Sequence, residues 1–357
     1  MNHGNHNGRR FLIGLAAGVG GAATLGLVGG WVGEPGTGGA EPEVAEEIAP
    51  EAAPEVGAEP AFELVRRAGS VDLAGEYDLA GLLIPEGEIH TLLPRDAIPA
   101  LTDPARESAR EADWLPGDAR ILVVRAGGEV LGVPLRVLNW HEIVNTTVGG
   151  EPVAATYCPL CDSATVFSRR FEDAEGEAVV LEFGVSGALY NSNVLMYDRT
   201  GRGLWSQLAM RAVSGPMAGT EATMLPVEIV PMSMFLVEHP FAEVVGRETG
   251  HERDYTVSPY KRYFGSDGLM VPVRGVGDAM ARKTLGVGIA FAGDAWFVPV
   301  EAIGGEGVEI ETGGGVVRLE RAGAGVRVSA VPEGVQTAQT FYYSWSAFYP
   351  RSVVVGE

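Results

Sequence analysis

Cysteine and lysine are the scarcest chemically informative residues in this sequence of 357 residues. There are two cysteines, Cys158 and Cys161, and two lysines, Lys261 and Lys283. With so few lysines, acidic side chains outnumber basic ones and the formal net charge is −21. Nucleic acids and anionic membrane surfaces require a basic face on their protein partner. We therefore expect no nucleic-acid partner, and a small molecule or a metal ion is the remaining class of ligand.

Several catalytic signatures are also missing. The sequence has no internal repeat, no glycine loop that would cradle a phosphate, no G-x-S-x-G and no H-E-x-x-H. These absences exclude the motif-based assignments to nucleotide-binding P-loops, serine hydrolases of the nucleophile-elbow type and zincin proteases. Whether the protein is an enzyme stays open at this point.

The N-terminus has the pattern of a targeting segment. Arg9 and Arg10 precede an apolar, glycine-rich and alanine-rich run that continues to about Val32 before the first acid, Glu34. We predict a twin-arginine export signal within residues 1–33, with a Sec signal or an uncleaved membrane anchor as alternatives. Each of these places the protein outside the cytoplasm, either secreted or tethered to the membrane through its N-terminus.

Composition divides the remainder of the chain in two. Residues 34–60 are rich in Ala, Pro, Gly and Glu and contain no basic residue, so we predict a disordered acidic tether. Residues 61–357 are predicted to form a single β-rich domain, and a C-terminal β subdomain could begin near residue 270.

The sequence Cys158-Pro159-Leu160-Cys161 is the main candidate for chemistry. A disulfide that closes so short a loop removes only about 2 kcal/mol of unfolded-state entropy, so stabilisation is a poor reason for the pair. A C-x-x-C pair also serves as a redox couple or as half of a metal site. The flanking residues 152–157 and 164–171 are both strand-like, which predicts two strands joined by a knuckle and not the strand-to-helix arrangement of thioredoxin.

The predicted fold class of the domain is α+β and β-rich, with mainly antiparallel sheets and a few short helices. Residues 119–125 and 129–133 flank Gly127-Gly128 as a hairpin, and Pro134 precedes a predicted helix over residues 135–145. Residues 308–311, 316–320 and 326–329 alternate apolar and charged side chains, which predicts an antiparallel meander. The aromatic residues after Phe341 are typical of core closure.

His141 is the first candidate to join the cysteines as a third ligand. At helical spacing it shares an apolar face with Val137, Leu138 and Val144, so its ring should point inward. Glu142 could orient this ring or could equally be a solvated helix charge, and Asn145 is a second candidate for orienting it. Less favoured additional ligands are Asp162 and Met196, and His239 and His251 lack diagnostic spacing.

Several stretches resemble a family of uncharacterised prokaryotic proteins described as a domain of unknown function, similar to DUF3179. The resemblance runs from about Leu93 to Pro350. It rests on W-H-E-I-V-N at 140–145, T-Y-C-P-L-C at 156–161, F-G-V-S-G at 183–187, L-M-Y-D-R at 195–199, L-W-S-Q at 204–207, K-T-L-G-V at 283–287 and W-S-A-F-Y-P at 345–350. It implies one family domain over most of the chain, and it implies no reaction.

Three functional hypotheses follow from the cysteine pair. The first is a metal site with Cys158, Cys161 and His141, where zinc would favour a closed tetrahedral set and copper would tolerate a methionine sulfur. The second is a thiol enzyme, either a thiol–disulfide oxidoreductase or a Cys158 nucleophile activated by His141. The third is an extracellular binding module in which the two cysteines form a local disulfide.

Overall fold

The computed structural model describes residues 72–173 and 175–356. The predicted export signal, the predicted tether and the first residues of the predicted domain lie outside the described residues. In the part of the chain that is described, no helix combines the length and the apolar character needed to cross a membrane.

Strands make up most of the regular structure. In chain order they are β1 Ile89–Thr91, β2 Leu101–Thr102, β3 Arg106–Ser108, β4 Arg120–Ala126, β5 Glu129–Pro134, β6 Ile143–Val148, β7 Glu151–Cys158, β8 Ser163–Ser168, β9 Arg170–Glu172, β10 Ala178–Val180, β11 Phe183–Tyr190, β12 Asn193–Asp198, β13 Leu204–Ser206, β14 Arg211–Ala212, β15 Met224–Leu225, β16 Ile229–Pro231, β17 Glu243–Val245, β18 Leu285–Phe291, β19 Asp294–Pro299, β20 Val308–Thr312, β21 Gly315–Ala322, β22 Gly325–Ala330, β23 Gln336–Phe341 and β24 Val353–Val354.

The helices are short. They are α1 Leu73–Glu76, α2 Leu135–His141, α3 Met232–Glu238, α4 Lys261–Phe264 and α5 Tyr342–Phe348, with 3-10 turns at Glu86–Glu88 and Val300–Ala302. The predicted fold class, β-rich with mainly antiparallel sheets and a few short helices, is confirmed.

The largest sheet has nine strands in the order β2-β6-β7-β8-β23-β18-β19-β24, with β15 paired to β8. Two five-stranded sheets have the orders β1-β11-β12-β13-β14 and β16-β4-β5-β17-β3. The pair β10-β9 and the meander β20-β21-β22 complete the described part. Since β18, β19, β23 and β24 belong to the same sheet as β6 to β8, most strands after residue 270 share a sheet with the cysteine hairpin.

Turn chemistry explains the connections that sequence patterns predicted. Gly127 and Gly128 join β4 to β5 with φ values of 52° and 81°, which glycine adopts at little cost. The meander β20 to β22 is antiparallel, as its alternation of apolar and charged residues predicted.

The helix after Pro134 is shorter than predicted. It ends at His141, and Ile143 to Val148 form a strand instead of continuing to Asn145 as helix. Glu142, with φ 57° and ψ −31°, breaks the helical path and turns the chain into β6. The β-branched residues at 143–144 and 146–148 favour the extended state over helix, which the apolar period of 137–144 concealed.

The two strands of the cysteine hairpin lie inside the nine-stranded sheet, between β6 and β23. Strands β7 and β8 pair antiparallel with Cys158 opposite Ser163, and the loop between them is Pro159 to Asp162. The backbone N–H of Phe341, at the end of β23, donates to the Cys161 carbonyl at 2.7 Å. The loop is therefore attached to the segment that leads into α5.

Candidate dithiol site

The two cysteines face each other as free thiols inside the protein. Their sulfur atoms are 3.6 Å apart, and Cys158 and Cys161 are 1% and 0% exposed. The Cys161 N–H donates to the Cys158 carbonyl at 3.2 Å, and Asp162 closes the turn with φ 45°. The predicted strand, turn and strand arrangement is confirmed, since no helix begins at the first cysteine.

The sulfur of Cys161 is surrounded by hydrogen-bond donors. Ser344 Oγ lies at 3.3 Å, and Asn193 Nδ2 and Tyr343 Oη each lie at 3.6 Å. The Tyr343 hydroxyl also donates to the Leu160 carbonyl, at the shorter distance of 2.8 Å. The Cys158 thiol is a fourth donor at 3.6 Å. We call Asn193, Tyr343 and Ser344 the sulfur cradle. Donors that converge on one sulfur stabilise its ionised form, as they do for other buried anions.

The pKa values of the two thiols are consequently shifted in opposite directions. Burial alone would raise the pKa of Cys161, but hydrogen bonds from Cys158, Ser344, Tyr343 and Asn193 lower it below its usual value. Burial raises the pKa of Cys158 well above the usual value, and its interactions with Cys161 add to this rise. Cys161 is therefore the sulfur that ionises first.

The backbone carbonyl of Ser192 contacts both sulfur atoms. It accepts a hydrogen bond from the Cys161 thiol at 3.0 Å and a longer one from the Cys158 thiol at 3.9 Å, so ionisation of Cys161 requires the loss of the shorter bond. Asn191 and Ser192 form the turn between β11 and β12 with φ values of 50° and 60°. This left-handed backbone is uncommon for residues other than glycine, and it aims the carbonyl at the thiols.

A buried polar network holds Asn193 in place. Its Nδ2 donates to Gln207 Oε1 at 2.8 Å and to Ser163 Oγ at 3.0 Å, and its Oδ1 accepts the Leu208 N–H at 3.2 Å. Gln207 Nε2 in turn donates to Thr156 Oγ1 at 3.0 Å. These bonds fix the orientation of the amide, so its N–H₂ points toward Ser163, Gln207 and the Cys161 sulfur.

Glu142 is a buried carboxylic acid beside the same thiols. It is 7% exposed, and its backbone carbonyl accepts the Tyr157 N–H at 2.7 Å, which places its backbone just before the start of β6 and next to the Cys158 end of β7. No hydrogen bond from a described residue reaches its carboxyl group. Burial, followed by the negative charge of Cys161, raises its pKa to about 8. The reading of Glu142 as a solvated helix charge therefore does not hold.

His141 points inward as predicted, but its ring is engaged elsewhere. Nδ1 lies 2.7 Å from the Pro99 carbonyl, which identifies it as the protonated nitrogen, and Nε2 accepts the Tyr255 hydroxyl at 2.7 Å. Tyr255 Oη also lies 2.5 Å from Thr249 Oγ1. Burial lowers the pKa of His141 to about 4, so the ring is neutral at pH 7.

The other candidates also have structural partners. Asp162 accepts from Arg120 Nη1 at 2.9 Å and from the Tyr157 hydroxyl at 2.8 Å. Met196 packs in the apolar core, and Asn145 exchanges hydrogen bonds with the backbone of Phe183 at 2.9 Å in both directions.

The metal set predicted from the sequence is only partly assembled. Cys158 and Cys161 are brought together, whereas no hydrogen bond or ring contact joins His141 to either sulfur. His239 interacts with Arg125, and His251 packs against the His141 ring at 5.2 Å between centroids. Within residues 72–173 and 175–356, no group of three or more His, Cys, Asp or Glu is placed to hold a metal ion.

A poorly regular segment covers the thiols. Between β17 and β18 the only helix or strand is the four-residue α4, yet Tyr260, Tyr263 and Val271 of this stretch share an apolar cluster with both cysteines. Tyr263 Oη lies 3.3 Å from Tyr343 Oη. Lys283 Nζ donates to the carbonyls of Tyr263 at 2.5 Å and Ser266 at 2.6 Å. We call residues 246–284 the covering segment.

Sequence reasoning missed most of the sulfur cradle. Asn193 lies in the turn-rich stretch Asn191-Ser192-Asn193, where turn chemistry alone accounts for an asparagine. Tyr343 and Ser344 were included in or beside the aromatic cluster assigned to core closure. They follow Cys161 by about 180 positions, and no local pattern links the two segments.

Comparison with known proteins identifies the family of this chain but does not indicate an activity. The family model described as "Protein of unknown function (DUF3179)" matches residues 95–331. The chain belongs to the DUF3179 family. This range contains Glu142, both cysteines and Asn193, and it ends before Tyr343 and Ser344. No curated protein and no solved structure matches the chain.

Proposed function

We propose that Cys158 and Cys161 form a thiol–disulfide redox couple in which Cys161 is the attacking sulfur. The observation that carries this proposal is the asymmetry of the pair. Three side-chain donors converge on Cys161, and none of them reaches Cys158. A redox dithiol needs one thiolate to attack and a second thiol that stays protonated until it resolves the mixed disulfide.

The exchange is balanced with an external disulfide as the oxidant. The Cys161 thiolate attacks one sulfur of the external disulfide and forms a mixed disulfide, while the other sulfur leaves as a thiolate and is protonated. Cys158 then loses its proton and attacks the Cys161 sulfur, which releases the second external thiol. The protein is oxidised by two electrons and the external disulfide is reduced to two thiols.

The structure sets two conditions for this reaction. The sulfurs must approach from 3.6 Å to the bonding distance of about 2.05 Å, which small rotations within the loop can supply. Both thiols are buried, so a neighbouring element must also move, and we propose the covering segment, which packs in the same apolar cluster. This segment has little regular structure, a feature typical of regions that open locally.

A two-thiolate metal site is the second candidate. It is favoured by the separation of the sulfurs, because two thiolates bound to zinc at about 2.3 Å in tetrahedral geometry lie roughly 3.75 Å apart. The remaining ligands would have to differ from the predicted set, since both nitrogens of His141 have other partners. Metal binding would need both thiols ionised, whereas the sulfur cradle favours ionisation of one.

We also propose that the protein is exported from the cytoplasm. A redox disulfide can persist outside the cytoplasm, where thiols are not kept reduced. This location is supported by Arg9-Arg10 before the acid-free apolar run. Replacing both arginines with lysine should retain a reporter fusion inside the cell, and unchanged export would contradict the twin-arginine route.

The deciding experiment uses the full chain without a histidine tag and the variants Cys158→Ser and Cys161→Ser. The protein is equilibrated with reduced and oxidised glutathione, and its mass and free thiols are measured. We expect the wild type to lose two hydrogens reversibly. Cys158→Ser should accumulate a glutathione adduct at Cys161, whereas Cys161→Ser should form at least tenfold less adduct.

Two results would overturn the redox proposal. One is a wild-type protein whose thiols resist oxidation in the folded state but react after unfolding. The other is stoichiometric metal that is retained through purification and lost in both serine variants, which would select the metal site.

A further inference from the structure

We propose that the oxidant of this dithiol is a small hydroperoxide, and that the Cys161 sulfur accepts one of its oxygen atoms. The protein then reduces peroxide with electrons that external thiols supply. This inference rests on the proposed redox function and names the substrate class of the same site, which neither the family description nor a motif provides.

Burial of the sulfurs is the first argument. Cys158 and Cys161 are 1% and 0% exposed. Both belong to an apolar cluster that includes Tyr260 and Tyr263 of the covering segment. A mixed disulfide places a whole external molecule on the Cys161 sulfur, so the cluster has to open widely before exchange begins. Hydrogen peroxide leaves a single oxygen atom on that sulfur, so a smaller local opening is sufficient.

The hydrogen bonds to Cys161 are the second argument. Among the described residues, the Ser344 hydroxyl donates to the Cys161 sulfur alone, at 3.3 Å. Asn193 Nδ2 lies 3.6 Å from the same sulfur. An oxygen atom bonded to this sulfur can accept hydrogen bonds from both groups. Donors that are already in place where negative charge develops on a transferred oxygen lower the barrier of the transfer.

A buried hydroxyl on a residue that contacts both sulfurs is the third argument. Ser192 is 0% exposed, and its backbone carbonyl lies 3.0 Å and 3.9 Å from the two sulfur atoms. Its hydroxyl forms no hydrogen bond of normal geometry with a described residue. Burying a hydroxyl without a partner costs free energy. An oxygen-bearing molecule that enters the site supplies the missing acceptor, which an apolar side chain could not do.

The position of Cys158 accounts for the second half of the reaction. Its sulfur is 3.6 Å from that of Cys161 inside the same buried cluster. A sulfenic acid on Cys161 therefore meets a neighbouring thiol before a second peroxide molecule can enter. Disulfide formation then stops the oxidation at a reversible stage, before sulfinic acid is reached.

The atoms and electrons balance in two steps. The Cys161 thiolate attacks one oxygen of the hydroperoxide, the O–O bond breaks, and the other oxygen takes a proton from solvent and leaves as water or an alcohol. Cys158 then attacks the sulfur of the resulting sulfenic acid, whose hydroxyl leaves with the Cys158 proton as water. The two sulfurs lose two electrons and the peroxide gains them. External thiols reduce the disulfide by the reverse of the exchange described above.

The test compares two oxidants on the reduced full chain, with a metal chelator present. Disulfide formation with hydrogen peroxide and with oxidised glutathione at equal concentration is followed by mass, in the folded protein and in denaturant. We expect the ratio of the peroxide rate to the glutathione rate to be at least tenfold higher in the folded protein. Burial hinders the larger oxidant more, and only the folded site provides the donors to the transferred oxygen.

The Cys158→Ser variant isolates the first step. It should gain one oxygen atom, which dimedone traps at Cys161, whereas Cys161→Ser should trap at least tenfold less. In the Cys158→Ser background, Ser344→Ala should slow this oxygen transfer by roughly 100-fold, the effect of removing one donor to a developing oxyanion. Alkylation of Cys161 transfers no oxygen and should slow less. Ser346→Ala, in the same helix, is the matched control and should leave the rate of oxygen transfer unchanged.

The outcomes distinguish this inference from the function on which it rests. If the folded wild type forms its disulfide with glutathione but the ratio does not rise on folding, or if no oxygen is trapped at Cys161, peroxide is not the substrate and the redox couple stands. Equal rates for Ser344→Ala and Ser346→Ala would contradict the role of the cradle in oxygen transfer. If neither oxidant produces a reversible disulfide in the folded protein, the redox function itself is wrong.

Discussion

His141 and Glu142 are consecutive residues, yet their side chains lie in two polar clusters of different character. Around His141 every polar atom of the ring is bonded, to the Pro99 carbonyl and to Tyr255. Around Glu142 no described residue donates a hydrogen bond to the carboxyl group, and the negative charge of Cys161 adds to the effect of burial on its pKa. The helix α2 ends between them, and the strained backbone of Glu142 turns the chain into β6.

This contrast gives a criterion that distinguishes buried polar groups with a structural role from those with a chemical role. A ring whose two nitrogens are satisfied contributes fixed hydrogen bonds and is neutral across the physiological range. A buried acid without a partner can gain or lose a proton at little geometric cost. By this criterion His141 supports the fold, and the buried groups around the two thiols are the ones for which we propose a chemical role.

The largest expected effect that tests this contrast is the pH dependence of stability. The folded pKa of Glu142, about 8, exceeds its ordinary value of 4.5, so its neutral form is favoured in the folded state. Its contribution to the free energy of unfolding is complete below about pH 4.5 and is lost as pH rises through 8. At about 1.36 kcal/mol per pKa unit, the loss is at most about 5 kcal/mol.

Denaturant unfolding of the wild type and Glu142→Gln across pH 4 to 9 measures this loss. The two proteins should have similar stability near pH 4.5, and the variant should become the more stable one above pH 8. Parallel stability curves would contradict a buried, unpaired acid at position 142.

Truncating His141 should have the next largest effect, on stability alone. His141→Ala leaves the buried Pro99 carbonyl without its donor and Tyr255 without its acceptor, so we expect a loss of about 2–4 kcal/mol in the free energy of unfolding. The rate of thiol oxidation at pH 7 should stay within twofold. His239→Ala is the control for removing an imidazole. Loss of bound metal or of thiol chemistry in His141→Ala alone would restore its role as a ligand.

Removing one donor from the sulfur cradle should have a smaller effect. Ser344→Ala deletes the closest side-chain oxygen donor to Cys161, at 3.3 Å, and should raise the pKa of that thiol. Loss of a charge-assisted hydrogen bond worth about 1.5 kcal/mol predicts roughly tenfold slower alkylation of Cys161 near pH 7. Ser346→Ala, in the same helix, should alkylate at the wild-type rate, and equal rates for both variants would argue against the cradle.

The smallest expected effect concerns access to the thiols. Lys283→Met removes the ammonium group that binds two carbonyls of the covering segment, so we expect the native thiols to react about two- to fivefold faster with a bulky disulfide reagent. The chain offers a matched control in its other lysine, because Lys261 is exposed on α4. If Lys261→Met accelerates the reaction equally, the effect does not come from the two carbonyl contacts of Lys283.

Local patterns in the sequence predicted the local parts of the fold. The hairpin at Gly127-Gly128, the strands on both sides of Cys158 to Cys161 and the C-terminal meander all depend on alternation and turn residues within a few positions. The helical period of residues 135–145 was misleading, because the strain accepted at Glu142 is imposed by the tertiary structure. No propensity scale registers such a cost at a single position.

Of the candidate site, the sequence predicted only that the two sulfur atoms would lie together. Spacing indicated that Cys158 and Cys161 would lie together, and apolar periodicity indicated that His141 would be buried. Neither pattern specifies which buried groups meet, because that depends on β23 pairing with β8 and on the turn between β11 and β12. Tyr343 and Ser344 reach the sulfur through pairings that span about 180 positions.

This separation along the chain determines when the contacts of the site can form during synthesis. The backbone contact from Phe341 to Cys161 and the side chains of Tyr343 and Ser344 all come from a segment that is synthesised about 180 positions after the cysteine hairpin. At about 5–20 residues per second, the cysteine hairpin would wait roughly 10–40 s for its partners. During that interval Cys161 is an ordinary thiol without its cradle. The hydrogen bonds that lower the pKa of Cys161 therefore form only after this later segment has been synthesised, and under the proposed redox function the nascent chain would exchange disulfides more slowly until then.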